Sequence, residues 1–501
     1  MSTDTRPRRI PEAVETGRAA LRRHRAPSRL RVPLIVAAIC QLVWTLWWLA
    51  AYPAFLGPDS VAAVERVTGA GTWTADHAAG YDALVLVALR LTGGVAAVTL
   101  LQTVAMSVAL AYAVSALARL GARARWTVPA AVALAVLPPT GTFVVFLWRE
   151  VPFAVCAVLL FAASARLLAR RAEGTLASEG RGRRIDLVVL FVALVGLGVF
   201  RVGGYGVAAV TALLLLFLLP GVRGRIVLLT AAALAVPLLL NPWGYQALLG
   251  LPRPGAGTSA HTLEYADVAV AYHRDPGLFS ERDRAVLAEV APLSTWDTAG
   301  DHCFSAAALT GAGTGWDADR AGDRGDDLLA LWKRVALRQP DSLVGARICR
   351  GHLAWSAFSG PAARDGATVV PGPEASADLF GATAPGGDLE GSRWAAALRS
   401  HPVVHQLRTA AVWLHTAFRA PQLDWLFWRG ATWCYLGYGA LLVYARRRRL
   451  PAAVPVLGAV PLGLQLTVLA AGSGPDFRAM AAALLIGPLL LTLVGAGRAR
   501  T

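Results

Sequence analysis

The chain has 501 residues, 55% of them hydrophobic and 16% charged, with a mean hydropathy of +0.50. A soluble core cannot hide that much apolar surface, and several runs approach the ~20 residues needed to cross ~30 Å of hydrocarbon, which points to a polytopic membrane protein. The net charge of +16 comes from arginines and the single Lys333, standing in short clusters between apolar runs, which orients a chain in a membrane and argues against nucleic acid as a partner.

In chain order, residues 1–32 are predicted to be a disordered, cytoplasmic basic tail, with nine arginines up to Arg31. Residues 33–241 read as a membrane core. Its first span, 34–51, reads as a signal anchor and not a cleaved peptide, because no small-residue cleavage site follows a short core. The span ends in Trp44, Trp47, Trp48 and Tyr52, predicted to form an interfacial belt on the outer side. The external loop 52–80 then carries Asp59, Glu65, Asp76 and His77. The stretch 81–91 is short for a crossing; read as a helix on the outer surface, or packed against the bundle, it leaves Arg119, Arg123 and Arg125 cytoplasmic after the span 95–117.

Alternation continues through 128–147, 151–168, 187–200, 202–219 and 226–240, with basic clusters at every second connection. A polar region, 242–424, holds 20 Asp or Glu and is predicted to be a mainly helical external loop domain. Its stretch 322–353 has helical periodicity at Leu328, Leu331, Trp332, Val335 and Leu343, interrupted by Pro340, whereas 360–391 reads as a flexible Gly/Pro/Ala excursion. Asp267, His261, His273 and His302 read as surface residues. Residues 425–501 return as C-terminal transmembrane helices. The expectation is an all-α integral membrane protein with about ten crossings, both termini cytoplasmic and the plasma membrane as its location. Cys303 and Cys349, the two external cysteines, are expected to form a disulfide, and Cys40, Cys156 and Cys434 to pack within spans.

With this topology Asp59, Asp76, His77, Arg149, Glu150, Arg201, Asp476 and Arg478 all fall on the outer side, at loop starts or helix mouths. Charges so placed face a cavity or a partner. Arginine binds phosphate oxygens bidentately, and a carboxylate can deprotonate an acceptor hydroxyl or hold a divalent cation, so the set suits group transfer from a phosphate-bearing lipid. No Walker loop, GxSxG elbow or HExxH motif occurs, which disfavours ATP-driven transport, serine hydrolysis and zinc proteolysis.

Five short motifs resemble the GT-C superfamily of polytopic membrane glycosyltransferases, and within it a mostly uncharacterised bacterial group dependent on polyprenyl-phosphate sugars. They are Gly57-Pro58-Asp59-Ser60, Ala75-Asp76-His77, Trp148-Arg149-Glu150, Arg201-Val202-Gly203-Gly204 and Pro475-Asp476-Phe477-Arg478; the stretch from Leu328 to Trp355 also resembles the group's loop. The resemblance implies a GT-C-like core with a catalytic carboxylate in the first external loop: Asp59, with Asp76 second and His77 assisting. It implies donor-phosphate binding by Arg149, Glu150, Arg201 and Arg478, and a candidate Mg or Mn ion on Asp59 and Asp76. The chain departs from the group at Arg149-Glu150, where Lys-Asp is usual, at His77-Ala78-Ala79, where His-Pro is frequent, and near Arg201, where glycine replaces asparagine. The expected function is transfer of a sugar from a polyprenyl-phosphate donor to an extracytoplasmic envelope glycan, lipid or protein acceptor. The alternative is a transporter or flippase of a lipid-linked saccharide, in which the same charges hold the headgroup during passage.

Overall fold

Long apolar runs in a bilayer satisfy their backbone N–H and C=O groups within each helix, and this chain folds as a bundle of such helices. The computed structural model describes residues 26–75, 79–252, 261–311, 313–358 and 381–496; among them no strand forms, and one isolated bridge pairs Phe55 with Phe146. The first half contains α1 (Ala26–Ala51), α2 (Pro58–Thr68), α3 (Ala79–Thr92), α4 (Ala96–Arg119), α5 (Ala124–Val136), α6 (Pro138–Val145), α7 (Glu150–Ala172), α8 (Arg181–Phe200), α9 (Gly204–Leu218) and α10 (Arg223–Leu239). The polar region supplies α11 (Thr262–Arg274), α12 (Glu281–Val290), α13 (Leu293–Asp301), α14 (Gly325–Arg338), α15 (Pro340–Arg350) and α16 (His405–Phe418). The chain returns through α17 (Gly430–Arg448), α18 (Ala453–Ala471) and α19 (Ala481–Leu491).

Among the described residues, six helical stretches are long and apolar enough to cross a membrane, or seven if α5 and α6, bent by 63°, make one span. The bend follows from Pro138-Pro139, which push Leu137 into an extended conformation and end α5 one residue earlier. Three of the ten expected crossings fall short of that test: α8 opens with Arg181, Arg183, Arg184 and Asp186, α9 has only 15 residues, and α17 ends in Arg446, Arg447 and Arg448. All three nevertheless pack in the bundle, α8 on α7, α9 on α18 and α17 on α19. Helix α7 lies at the centre, between α4 and α8; it is buried on nearly every face, which suits a helix that is apolar all round. Helix α3, about 21 Å long by its rise per residue, is too short to cross, as its sequence predicts.

Four expectations are corrected here. Residues 1–25 of the tail lie outside the described residues, and the part that is described, 26–32, is helical, since α1 begins at Ala26. Trp44 and Trp47 are buried, and Trp48 donates to Thr99 Oγ1 at 3.0 Å, so this cluster packs inside the bundle instead of forming a lipid belt. Gly141 makes that packing possible: a Cβ there would lie 2.4 Å from the Trp47 ring. Most of the Gly/Pro/Ala excursion, 360–380, lies outside the described residues, but its end is seated, with Ala382 and Leu389 buried against α2 and α3, and just beyond it Leu398 is buried too while His401 N and Val403 N donate to Tyr52 O and Leu49 O. Finally, Asp267 is fully buried, because α11 turns it toward α14 and α15, where Arg347 (Nε at 2.9 Å), Arg350 and Trp332 Nε1 (3.2 Å) all donate to it.

The polar region has its own core of Tyr265, Val268, Trp296, Leu328, Leu331 and Val335, with Trp332 and Leu343 packed against it, matching the periodicity read from 322–353. Cys303 and Cys349 are joined by a disulfide with Cα atoms 5.9 Å apart, and Cys40, Cys156 and Cys434 are buried and free. This region is tied to the end of the bundle by Arg347 Nη1 donating to Ala470 O (2.8 Å), Ala306 N to Ser473 O (2.8 Å) and Gln465 Nε2 to Ala354 O (2.6 Å).

Candidate functional site

The segment that follows α1 is locked to the mouth of α7 before any charged group is placed. Phe55 N donates to Val145 O, and Leu147 N donates back to Phe55 O, at 3.3 and 3.1 Å. Two residues on, Gly57 starts α2: its N–H donates to Ser60 Oγ (3.0 Å), and the Ser60 hydroxyl donates to Leu147 O (2.9 Å). Gly57 also lies against the Trp148 ring, where a Cβ would meet Nε1 at 3.2 Å, while Trp148 stacks on Phe146 at 3.9 Å. Asp59 therefore sits in the first turn of α2, where the helix dipole favours a carboxylate, beside the Trp148-Arg149-Glu150 mouth.

The last motif arrives from the far end of the sequence. Asp476 caps the 3-10 turn Phe477–Met480 by accepting from Arg478 N (3.0 Å), and its carboxylate receives Arg478 Nε (2.8 Å) and Nη2 (2.7 Å). Arg478 then bonds Asp59 through Nη1, and its guanidinium lies 4.7 Å from the Trp148 ring centroid, a cation–π contact. Close approach of α17 permits this: a Cβ on Gly430 would stand 2.5 Å from Met480 Cβ. One arginine thus joins residues 419 positions apart through the motifs at 57–60, 148–150 and 475–478.

Below this pair lies a small cavity of about 70 Å³, lined by Asp59, Arg66, Tyr81, Asp82, Trp148, Arg149 and Glu150 among others. Glu150 is buried at 5% exposure, with Arg149 Nε 3.6 Å away, whereas Asp59 keeps 61% of its side chain exposed at the rim. Desolvation pushes the Asp59 carboxyl up, but the charge and hydrogen bond of Arg478, with Arg149 and Arg66 behind it, pull it down further, so it lies below the usual carboxylate range. Glu65, also on α2, moves the other way, raised by desolvation and by Asp388 against the opposing pull of Arg66.

Sequence reasoning missed the floor of this cavity. Arg66 pairs bidentately with buried Asp82 at 2.7 and 3.0 Å, and Tyr81 donates to Gln102 Oε1 (2.9 Å), whose amide donates to Phe146 O (2.8 Å). Asp82 stands in a stretch read as an apolar surface helix; a carboxylate in such a run was the available signal. Arg201 is brought near the site but not into it. It caps α8 in an extended conformation, with its guanidinium 5.9 Å from the Phe153 ring on α7, and makes no ion pair among the described residues. Gly204 beside it is required by the tight α8–α9 turn, since a Cβ there would fall 1.9 Å from Leu197 O. Asp76 and His77 lie outside the described residues, so their predicted assisting and metal-binding roles are not placed.

The described residues contain no group of three or more His, Cys, Asp or Glu arranged to hold a metal ion, and the charges that act on Asp59 are those of Arg478, Arg149 and Arg66. What the site offers is the exposed carboxylate of Asp59, the buried carboxylates of Glu150 and Asp82, and the guanidinium groups of Arg66, Arg149 and Arg478, at one end of a helical bundle.

Fold and composition together define a multi-pass helical membrane protein with a polar helical region seated at one end of its bundle. Comparison with family models, with curated proteins and with solved structures finds no match to the chain.

Proposed function

We propose that this protein is a membrane glycosyltransferase of the GT-C type, transferring a sugar from a polyprenyl-phosphate donor to an acceptor hydroxyl on the outer face of the plasma membrane. The observation that carries the reading is the meeting of Asp59, Arg149, Glu150 and Arg478, from three distant motifs, at one end of the bundle. In this reading the chain makes ten crossings, both termini are cytoplasmic, and the polar region is external.

Asp59 takes the proton of the acceptor hydroxyl, whose oxygen attacks the anomeric carbon. The bond from that carbon to the phosphate oxygen breaks, and the electron pair leaves with the lipid phosphate. Arg478 and Arg149 take up the charge that grows there, so the leaving group needs no strong acid. The cavity is small against the roughly 300–1,000 Å³ of a ligand pocket, which puts the reacting bond at its rim, where Asp59 and Arg478 meet solvent. A donor phosphate drawn to Arg478 would share the guanidinium with Asp59 and strengthen the base once substrate is present. A divalent cation on Asp59 and Asp76 is the metal-dependent form of the same proposal, and the steps above do not pass through it.

The test is a panel of radiolabelled polyprenyl-phosphate sugars offered to purified protein in nanodiscs with a membrane extract as acceptor, with and without EDTA. Transfer of one sugar to the extract supports the enzyme. Binding without transfer, together with movement of the lipid-linked sugar across reconstituted vesicles, replaces it with the transporter.

A further inference from the structure

At the opposite end of the bundle lies a larger cavity, about 1040 Å³, whose lining includes Leu34, Ala37, Val108, Ala118, Arg119 and Arg166. Arg170, also in the lining, follows Glu150 by 20 residues on α7, placing this cavity about 30 Å from the Asp59 site at 1.5 Å per residue. Its polar end is built around Asp186 of α8, which is fully buried: Arg170 Nε donates to it at 2.7 Å, Tyr112 Oη at 2.9 Å, and Arg166 Nε completes the set. Arg166 Nη1 donates to Ser115 Oγ (3.1 Å), and Arg119 Nη2 pairs with Glu173 (2.7 Å) while its Nη1 stays 4.0 Å from Asp186.

Three arginines face two carboxylates here, which leaves one uncompensated positive charge. Nη2 of Arg166 has no partner among the described residues, and a guanidinium has five N–H donors to give. The other end of the cavity is apolar and reaches the outside of the bundle, where Leu34 is 66% exposed and Val108 56%. A cavity with a cationic end at the basic rim of a helical bundle and an apolar end open to its flank matches an amphiphile with one negative charge. Residues 1–25 carry a net positive charge, the wrong sign to neutralise this cavity.

We propose that this cavity binds one anionic phospholipid from the adjacent leaflet, its phosphodiester on Arg119 and Arg166 and an acyl chain along Leu34, Ala37 and Val108. Basic pockets between membrane helices take acidic lipid headgroups in this way. The site is separate from the proposed sugar-transfer site and does not depend on it.

The test is native mass spectrometry of the full chain released from bilayers of phosphatidylcholine with phosphatidylglycerol, comparing wild type with Ala118→Trp, which fills the cavity from an exposed helix position, and Arg119→Gln, which removes a headgroup donor. Arg166 and Arg170 are left intact because buried Asp186 needs them. Wild type should retain one phosphatidylglycerol, and each variant should lower the retained fraction about tenfold, as expected for losing one charge-assisted contact or the space for the chain. Equal retention in both variants overturns the proposal, as does equal retention of phosphatidylcholine. Displacement of the lipid by inorganic phosphate or glycerol phosphate alone would overturn it too, by making this a site for soluble anions.

Discussion

Replacing Asp59 by Asn separates what the residue does for chemistry from what it does for structure. Arg478 keeps its bonds to Asp476 and its place on Trp148 when Asp59 is neutralised, so no buried charge is stranded. Because Asp59 is 61% exposed, its pairing with Arg478 is screened by solvent, and the stability change should stay within about 1 kcal/mol. Loss of a general base, by contrast, costs roughly 10²–10⁴-fold in rate, or about 2.7–5.5 kcal/mol in the barrier. The assay is transfer from the donor that wild type accepts, at matched expression, alongside thermal unfolding of both proteins. An Asp59→Asn protein that unfolds within a few degrees of wild type but transfers at least a hundredfold more slowly is the expected outcome. Transfer within threefold of wild type would remove Asp59 from the mechanism, and a collapse of thermal stability would make its role structural.

Four further outcomes follow from particular contacts. Since Arg478 supplies the largest pull lowering the Asp59 carboxyl, that group is ionised above the ordinary carboxylate range and its charged form is lost only as pH falls through its lowered value; Arg478→Gln should move the acid limb of kcat/KM to higher pH, and an unmoved limb refutes the coupling. Burial and the Arg429 charge lower His352 to about 4 from 6.5, so its neutral form contributes stability that is present above about pH 6.5 and lost as pH falls toward 4; His352→Gln should flatten the decline in melting temperature across that window. The Cys303–Cys349 bond closes a loop spanning 46 positions, worth about 4 kcal/mol by loop entropy, so the double Ala variant should show a lowered melting temperature in non-reducing conditions. Gly204→Ala should destabilise the α8–α9 turn by several kcal/mol, read by thermal unfolding, because the new Cβ would overlap backbone at Leu197 and no side chain can yield.

What could be read from the sequence was set by how local each signal is. Apolar run length named the membrane class, and turn-by-turn periodicity found α14 and α15 with their break at Pro340, because both depend on neighbours within a few residues. The pairing of Cys303 with Cys349 was legible by count, since they are the two cysteines of the polar region. Trp44 and Trp47 were misread because an aromatic at a span's end serves a lipid interface or a helix interface equally well, and only the presence of Gly141 opposite decides between them. Asp267 was misread for a related reason: its partners Arg347 and Arg350 are 80 and 83 positions away, beyond any local pattern. The candidate site shows both limits together. Asp59, Arg149, Glu150 and Arg478 were picked out as charges where apolar helices begin or end, but the cavity floor of Arg66, Tyr81 and Asp82 was not, since Asp82 gives no sign in sequence of its pairing with Arg66 sixteen residues earlier.

The arrangement around Arg478 also bears on the choice between the proposed enzyme and a carrier. A carrier needs its ligand groups near the middle of the membrane, reachable from either side in turn, and two halves that can rock about them. Here Asp59, Arg149, Glu150 and Arg478 gather at one end, held by contacts that join three separate stretches of chain. The Phe55–Phe146 bridge, the Ser60 hydroxyl on Leu147 O, Gly57 under Trp148, and Arg478 across to Asp59 join the first loop, the α7 mouth and the α19 entrance into one unit. Rocking one half against the other would have to break the Arg478–Asp59 pair and lift Trp148 from Arg478 together. A preorganised cluster of that kind suits stabilisation of charge developing at one position, because donors already in place need not reorganise as the charge forms. The same unit is braced from the side, where Ala382, Leu389 and Leu398 pack with α2 and α3 and the backbone of His401 and Val403 donates to Tyr52 and Leu49.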